Sequence, residues 1–182
     1  MRGFCRFLLA AGLLSVPAAA HSQSFHMNGL DGMTQTVKQE GQSAITGLAF
    51  RARLGSDDLP VGMSLMPTLE YWKDNDRLQD FNIRASQKDL TLGLDARYDL
   101  TMGSWRPYFG GGLSAHFIKT QFSAPDIGVP TTEEGHTKLG PNALLGLQLA
   151  PLGFLQSFAE IKYEHVPPFR QFKFNWGFGV NF

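Results

Sequence analysis

The chain has a single cysteine, Cys5, among its 182 residues. Beyond its first twenty positions it has no run of 18 consecutive apolar residues. The first shortage excludes a disulfide-stapled secreted scaffold, so the body of the chain must hold itself together by hydrogen bonds and burial. The second excludes a membrane-spanning helix and leaves strands as the only route across a bilayer. Charge of one sign is missing too: 16 basic residues balance 16 acidic ones, with no basic patch, which argues against a nucleic-acid partner. The histidines at 21, 26, 116, 136 and 165 lack metal-ligand spacing, so no metal is expected. Gly110-Gly111-Gly112 has no strand-to-helix context, so it is not a phosphate loop, and no cofactor is expected. Crowding inside a tightly curved small barrel accounts for these glycines instead.

The N-terminus carries a recognisable export pattern. Arg2 and Arg6 precede an apolar run from Phe7 to Val16, Pro17 breaks it, and Ala18-Ala19-Ala20 supplies small residues. This predicts a signal peptide over 1–20, with cleavage before His21 or, as a second choice, before Gln23. Cys5 lies ahead of the apolar run and is therefore not a lipoprotein cysteine. Removing the segment leaves 14 basic and 16 acidic residues, a net charge of about −2.

The far end alternates with period two. Phe172, Phe174, Trp176, Phe178, Val180 and Phe182 fall on one parity, and Lys173, Asn175, Gly177, Gly179 and Asn181 on the other. That is a β-strand with one apolar and one polar face. The same alternation recurs upstream, over Ser43 to Leu54, Val61 to Trp72, Leu90 to Leu100, Pro107 to Phe122, Lys138 to Leu149 and Leu155 to Val166. Pro67 is awkward within its strand, because it removes a ladder donor. The segment 21–42 is poorly legible, and a weak first strand is expected in Phe25 to Val37, chiefly because a single-chain barrel needs an even strand count. The connections alternate in length, short at 55–60, 101–106 and 150–154, long and polar at 73–86 and 123–137. Short turns on one rim and long loops on the other are the pattern of an eight-stranded antiparallel up-and-down transmembrane β-barrel, here spanning 43–182 plus the first strand. A soluble barrel of the lipocalin sort alternates equally well but turns its apolar face inward. Charges of both signs at strand middles weigh against it: Arg51, Arg53, Glu70, Asp95, Arg97, Glu160 and Lys162 are expected to pair across a lumen. Eight strands enclose an interior just wide enough for side chains, so no channel is expected.

Two patterns resemble known families. Asn175, Gly177, Val180 and Phe182 fit the polar-x-Gly-x-x-apolar-x-aromatic ending that resembles the C-terminal assembly signal of bacterial outer-membrane barrels. Pro107-Tyr108-Phe109-Gly110-Gly111-Gly112-Leu113, Phe158-Ala159-Glu160-Ile161-Lys162-Tyr163 and the Phe182 ending resemble the small outer-membrane β-barrel proteins of the opacity-protein and OmpX-like type. The resemblance covers about residues 43–182. It implies insertion by the barrel-assembly machinery and outer-membrane lipid as surroundings, but little about activity. The leading expectation is a non-enzymatic structural or surface-interaction role through the loops at 73–86 and 123–137, the extracellular partner being unspecified. The alternative function is a lipid-modifying enzyme that deacylates lipid A. Ser114 and His116 share one strand face and Glu160 lies on another, but the order is Ser-x-His facing the lumen, and a hydrogen-bond network is the expected reading. Asp74, Asp76 and Asp80 lack the glycine and closing glutamate of a calcium loop.

Overall fold

A computed structural model describes residues 25–40, 43–78, 83–100, 105–124, 129–149 and 153–182. The expected signal peptide and both cleavage positions lie outside these residues, as does Asp80. Eight strands run in chain order: β1 (Phe25–Gln39), β2 (Ala44–Ser56), β3 (Met63–Leu78), β4 (Ile83–Asp99), β5 (Trp105–Ala124), β6 (Val129–Leu149), β7 (Leu155–Val166) and β8 (Phe169–Asn181). Each pairs antiparallel with its sequence neighbours, and β1 pairs with β8 to close the barrel. Closure removes every sheet edge, so the ladder satisfies its backbone groups internally.

Side-chain alternation places the apolar parity outside. Leu92 and Leu94 on β4, Leu145 on β6 and Phe174 and Trp176 on β8 all face outward, with Leu94 54% exposed. Arg51, Glu70, Arg97, Glu160, Lys162 and Lys173 are buried inside. This distribution is the reverse of a lipocalin-type barrel and suits a lipid surround, as the alternating charges predict.

The strand at Phe25–Gln39 occupies the segment that is hardest to read from the sequence. Its outward positions include Gly32, Thr34 and Thr36, and its inward ones include Met33 and Val37, so the two faces differ little in polarity. Closure in the barrel specifies it: Gly32 pairs with Phe50 on one side and Phe178 on the other.

The long loops expected at 73–86 and 123–137 are corrected. β3 continues to Leu78 and β4 begins at Ile83, with Lys73 opposite Lys88 and Leu78 opposite Ile83. β5 reaches Ala124 and β6 begins at Val129. On β6 both parities of the extension meet water, residues 130–137 being exposed throughout. This extension loses the alternation that marks a strand without losing the ladder. The two hairpins lengthen the same rim, opposite the one bearing the 57–62 turn and Phe182.

Pro67 leaves a mark on the β2–β3 ladder. Pairing holds from Gly47↔Trp72 to Arg51↔Thr68 and resumes at Leu54↔Leu65, while Pro67 stays in register with Leu94 on β4. The interruption falls where a residue without an N–H must lie.

The parity yields a direct test. Leu94→Arg places a cation on the lipid face of the most regular strand and is expected to cost roughly 2–4 kcal/mol. Gly93→Ser, on the inward face, is expected to cost much less, since an added Cβ there meets Ser114 Oγ at 3.4 Å and nothing closer. Equal losses in urea unfolding from lipid vesicles would contradict the assignment.

Candidate functional site

The interior carries two linked clusters of charge. Nearer the termini, Arg51 Nε donates to Asp31 Oδ2 at 2.7 Å and its Nη1 to Glu160 Oε2 at 2.6 Å. Arg53 Nε lies 3.2 Å from Asp31 Oδ1. Tyr108 donates its hydroxyl to Glu160 at 3.0 Å, and Asn175 Nδ2 donates to the other oxygen of that carboxylate at 2.8 Å. Arg97 stacks over the Tyr108 ring, 3.6 Å from its centroid, and pairs with Asp99 and Gln148. Tyr108 fits here because Gly146 stands opposite it in register. A Cβ at Gly146 would run into the Tyr108 ring.

Towards the hairpin rim, Lys162 Nζ lies among three carboxylates, Glu70 at 3.0 Å, Glu164 at 3.1 Å and Asp95 at 3.2 Å. Lys173 pairs with Glu70 and, at 2.5 Å, with Glu164. Such charges persist away from water only when paired and hydrogen-bonded. They come from β3, β4, β7 and β8, so the network ties together strands far apart in sequence.

All seven residues expected in the lumen network are buried, and they fall into the two clusters: Arg51, Arg53, Arg97 and Glu160 in the first, Glu70, Asp95 and Lys162 in the second. The expected charge network leaves out Asp31, Asp89, Glu164 and Lys173, all of which the structure places in it. Lys173 shares the polar parity of the last strand and Glu164 that of β7, which was signal enough for both. Asp31 lies in the strand whose parity is hard to read. Asp89 precedes the regular Leu90 to Leu100 stretch.

The Ser114, His116 and Glu160 set does not assemble. Ser114 donates to Glu164 at 2.9 Å and accepts from Asn142 Nδ2 at 3.1 Å. His116 Nδ1 lies 2.8 Å from Asp89 and 3.0 Å from Thr91, and its Nε2 lies 3.5 Å from Glu164. Glu160 is engaged by Arg51. A serine hydroxyl bonded to a carboxylate, with no imidazole partner and no exposure, is a structural hydrogen bond and not an activated nucleophile. Among the described residues no group of three or more His, Cys, Asp or Glu side chains is arranged to hold a metal ion.

The C-terminal positions lie on the closing seam. Gly177 faces inward opposite Met33, where an added Cβ would press on Gly32 O and the Met33 side chain. Asn175 bonds Glu160, and Val180 faces outward. Phe182 N donates to Asn28 O at 3.0 Å and its ring is exposed.

The β5–β6 hairpin is the other feature with chemistry. Gln121 Nε2 donates to Glu133 Oε2 at 3.0 Å, and Lys119 Nζ donates to Oε1 at 3.2 Å. Residues 130–137 are exposed throughout.

No family model and no curated protein matches the sequence. Solved structures do share the fold. One is neisserial surface protein A, at 17% identity over 88% of this chain and 100% of that one, with a TM-score of 0.63. Another is Ail, the attachment invasion locus protein of Yersinia pestis, crystallised with the heparin analogue sucrose octasulfate, at 14% identity over 88% and 99%, TM-score 0.61. A third is a major outer membrane protein of Thermus thermophilus, at 13% identity over 86% and 100%, TM-score 0.63.

Two expectations follow. Lys162→Met takes from Asp95 its ion-pair partner and leaves Lys173 alone between Glu70 and Glu164, and is expected to destabilise the folded barrel by about 3–5 kcal/mol, the scale for breaking a buried pair; urea unfolding in vesicles reads the loss. On the hairpin, the bonds from Gln121 and Lys119 hold the Glu133 carboxyl below its ordinary value. A lowered carboxylate contributes order above its unfolded pKa and loses it as pH falls through the folded one. Amide protection around Lys119, Gln121 and Glu133, taken relative to the intrinsic exchange rate at each pH, is therefore expected to fall on acidification more in the wild type than in Glu133→Gln.

Proposed function

We propose that this chain is a non-enzymatic barrel of the bacterial outer membrane, acting at the cell surface through its two long hairpins, with its lumen closed by side chains. The observation that carries the reading is the combination of an apolar exterior with hairpins that outrun it. From Lys119 to Ala124 the β5 ladder continues for about 17 Å at the usual rise per residue, beyond the row of Tyr71, Leu90 and Phe117. Paired extensions of this kind present ordered surface to a partner while costing the barrel nothing in closure. The ion pairs of Lys162, Lys173 and Arg51 across the interior support a closed lumen. The shared fold with surface proteins of the outer membrane supports the location.

Asn175, Gly177, Val180 and Phe182 would serve as the signal read by the barrel-assembly machinery. Deleting Phe182 removes no core side chain, so a barrel that needed no such recognition would fold as before. The expected result is a severe fall in the heat-modifiable, outer-membrane fraction and accumulation of precursor for periplasmic proteolysis. Gly177→Leu should act likewise, whereas Asn181→Ser should be mild. Native soluble protein lacking Phe182 would overturn the location. Single-channel conductance from the purified barrel in planar bilayers would overturn the closed lumen.

A further inference from the structure

Three lysines stand in one row on the outer wall. Lys73 lies opposite Lys88, and Lys88 lies opposite Lys119, across β3, β4 and β5. Each shares the outward parity of its strand: Lys73 with Leu69 and Tyr71, Lys88 with Leu90 and Leu92, Lys119 with Phe117. Directly opposed residues on one face of antiparallel strands lie about 5 Å apart, and like charges so placed repel. Alternation turns the nearby acids Asp74 and Asp89 the other way, and Asp89 is engaged by His116. Glu133 pairs directly with Lys119, at 3.2 Å and exposed, and Lys88 acts on the same carboxylate from further off, while Lys73 and Lys88 make no ion pair with a described residue.

The position of the row supplies the ligand. Immediately below it on the same face come Tyr71, Leu90 and Phe117, and below these Leu69 and Leu92. Leu69 and Leu92 line an apolar groove of about 690 Å³ that continues over Phe50, Ala52 and Gly32. Gly32 is its shallow floor, between Phe50 and Phe178 in register. A band of cations above an apolar furrow matches one molecule better than a free polyanion, which would have no use for the furrow. We propose that Lys73, Lys88 and Lys119 bind the phosphate-bearing headgroup of an outer-leaflet lipid, whose acyl chains lie along this groove. The anion offsets the repulsion along the row, which otherwise only weakens the sheet. This rests on the reading of the chain as an outer-membrane barrel with its hairpins outside.

The test uses the full exported chain, refolded in zwitterionic detergent and titrated with bisphosphorylated lipid A or with the same lipid after removal of both phosphates. The K73Q/K88Q/K119Q variant is expected to fold as well as the wild type, since the repulsion it relieves offsets the one exposed Lys119–Glu133 pair it loses, and to bind the phosphorylated lipid at least tenfold more weakly. Dephosphorylated lipid should bind both proteins alike. Glu133→Gln, which frees Lys119, should tighten the phosphorylated lipid severalfold, and Lys38→Gln, on the far side of the barrel, should change nothing. Inorganic phosphate at millimolar concentration should fail to compete. Equal affinity of wild type and triple variant overturns the site, as does a heparin fragment or inorganic phosphate that occupies the lysines in place of the lipid. A wild-type chain that shows no heat-modifiable folded form in any detergent or vesicle overturns the membrane reading itself. A folded chain whose lipid binding does not depend on the lysines overturns the lipid site alone.

Discussion

The structure depends on ion pairing inside a closed sheet. A barrel that turns its apolar residues outward has to place its remaining polarity within, where water is scarce and an unpaired charge is costly. Lys162 meets this by lying among Glu70, Asp95 and Glu164, and Arg51 by bridging Asp31 and Glu160. Arg51–Glu160, Lys162–Glu70 and Lys162–Asp95 join strands that are not neighbours in sequence, so the network ties distant parts of the chain together. The glycines follow from the same constraint. Tyr108 reaches Glu160 only because Gly146 yields space, and β8 closes on β1 only because Gly177 lets Gly32 O approach.

Much of this was legible because a transmembrane strand is the strongest case of period-two patterning. Leu90 to Leu100 shows the fold, the parity and the lumen residues at once, since lipid and lumen impose opposite demands on adjacent positions. The limits of legibility also have physical causes. The first strand hides because Gly32, Thr34 and Thr36 face outward where larger apolar residues are usual. The β6 extension hides because residues 130–137 meet water on both faces, so polarity stops reporting on the backbone. Lys73, Lys88 and Lys119 look scattered in sequence, and only the register of three strands reveals them as a row.

Two surfaces of different character result. The barrel wall between the rims is mainly apolar, broken by the furrow over Gly32 and bounded above by the lysine row. The hairpin rim is polar and ordered, with Gln121, Lys119 and Glu133 bonded across strands. Specificity for a partner would reside there, where substitution leaves the interior network untouched. The arrangement of Ser114, His116 and Glu160 shows why residue types on a shared face do not make an active site. Each is engaged by a different neighbour, and the three are parts of a structural lattice.

The inside-out arrangement can be measured through the tryptophans. Trp176 faces outward, 53% exposed, whereas Trp72 faces inward at 1%, packed with Val37 and Ile45. Single-tryptophan variants, with the other tryptophans replaced by Phe, can be folded into vesicles of brominated phosphatidylcholine, which quenches indoles in contact with acyl chains. The account predicts strong quenching of Trp176 and little of Trp72. Quenching of Trp72 equal to or stronger than that of Trp176 would contradict it.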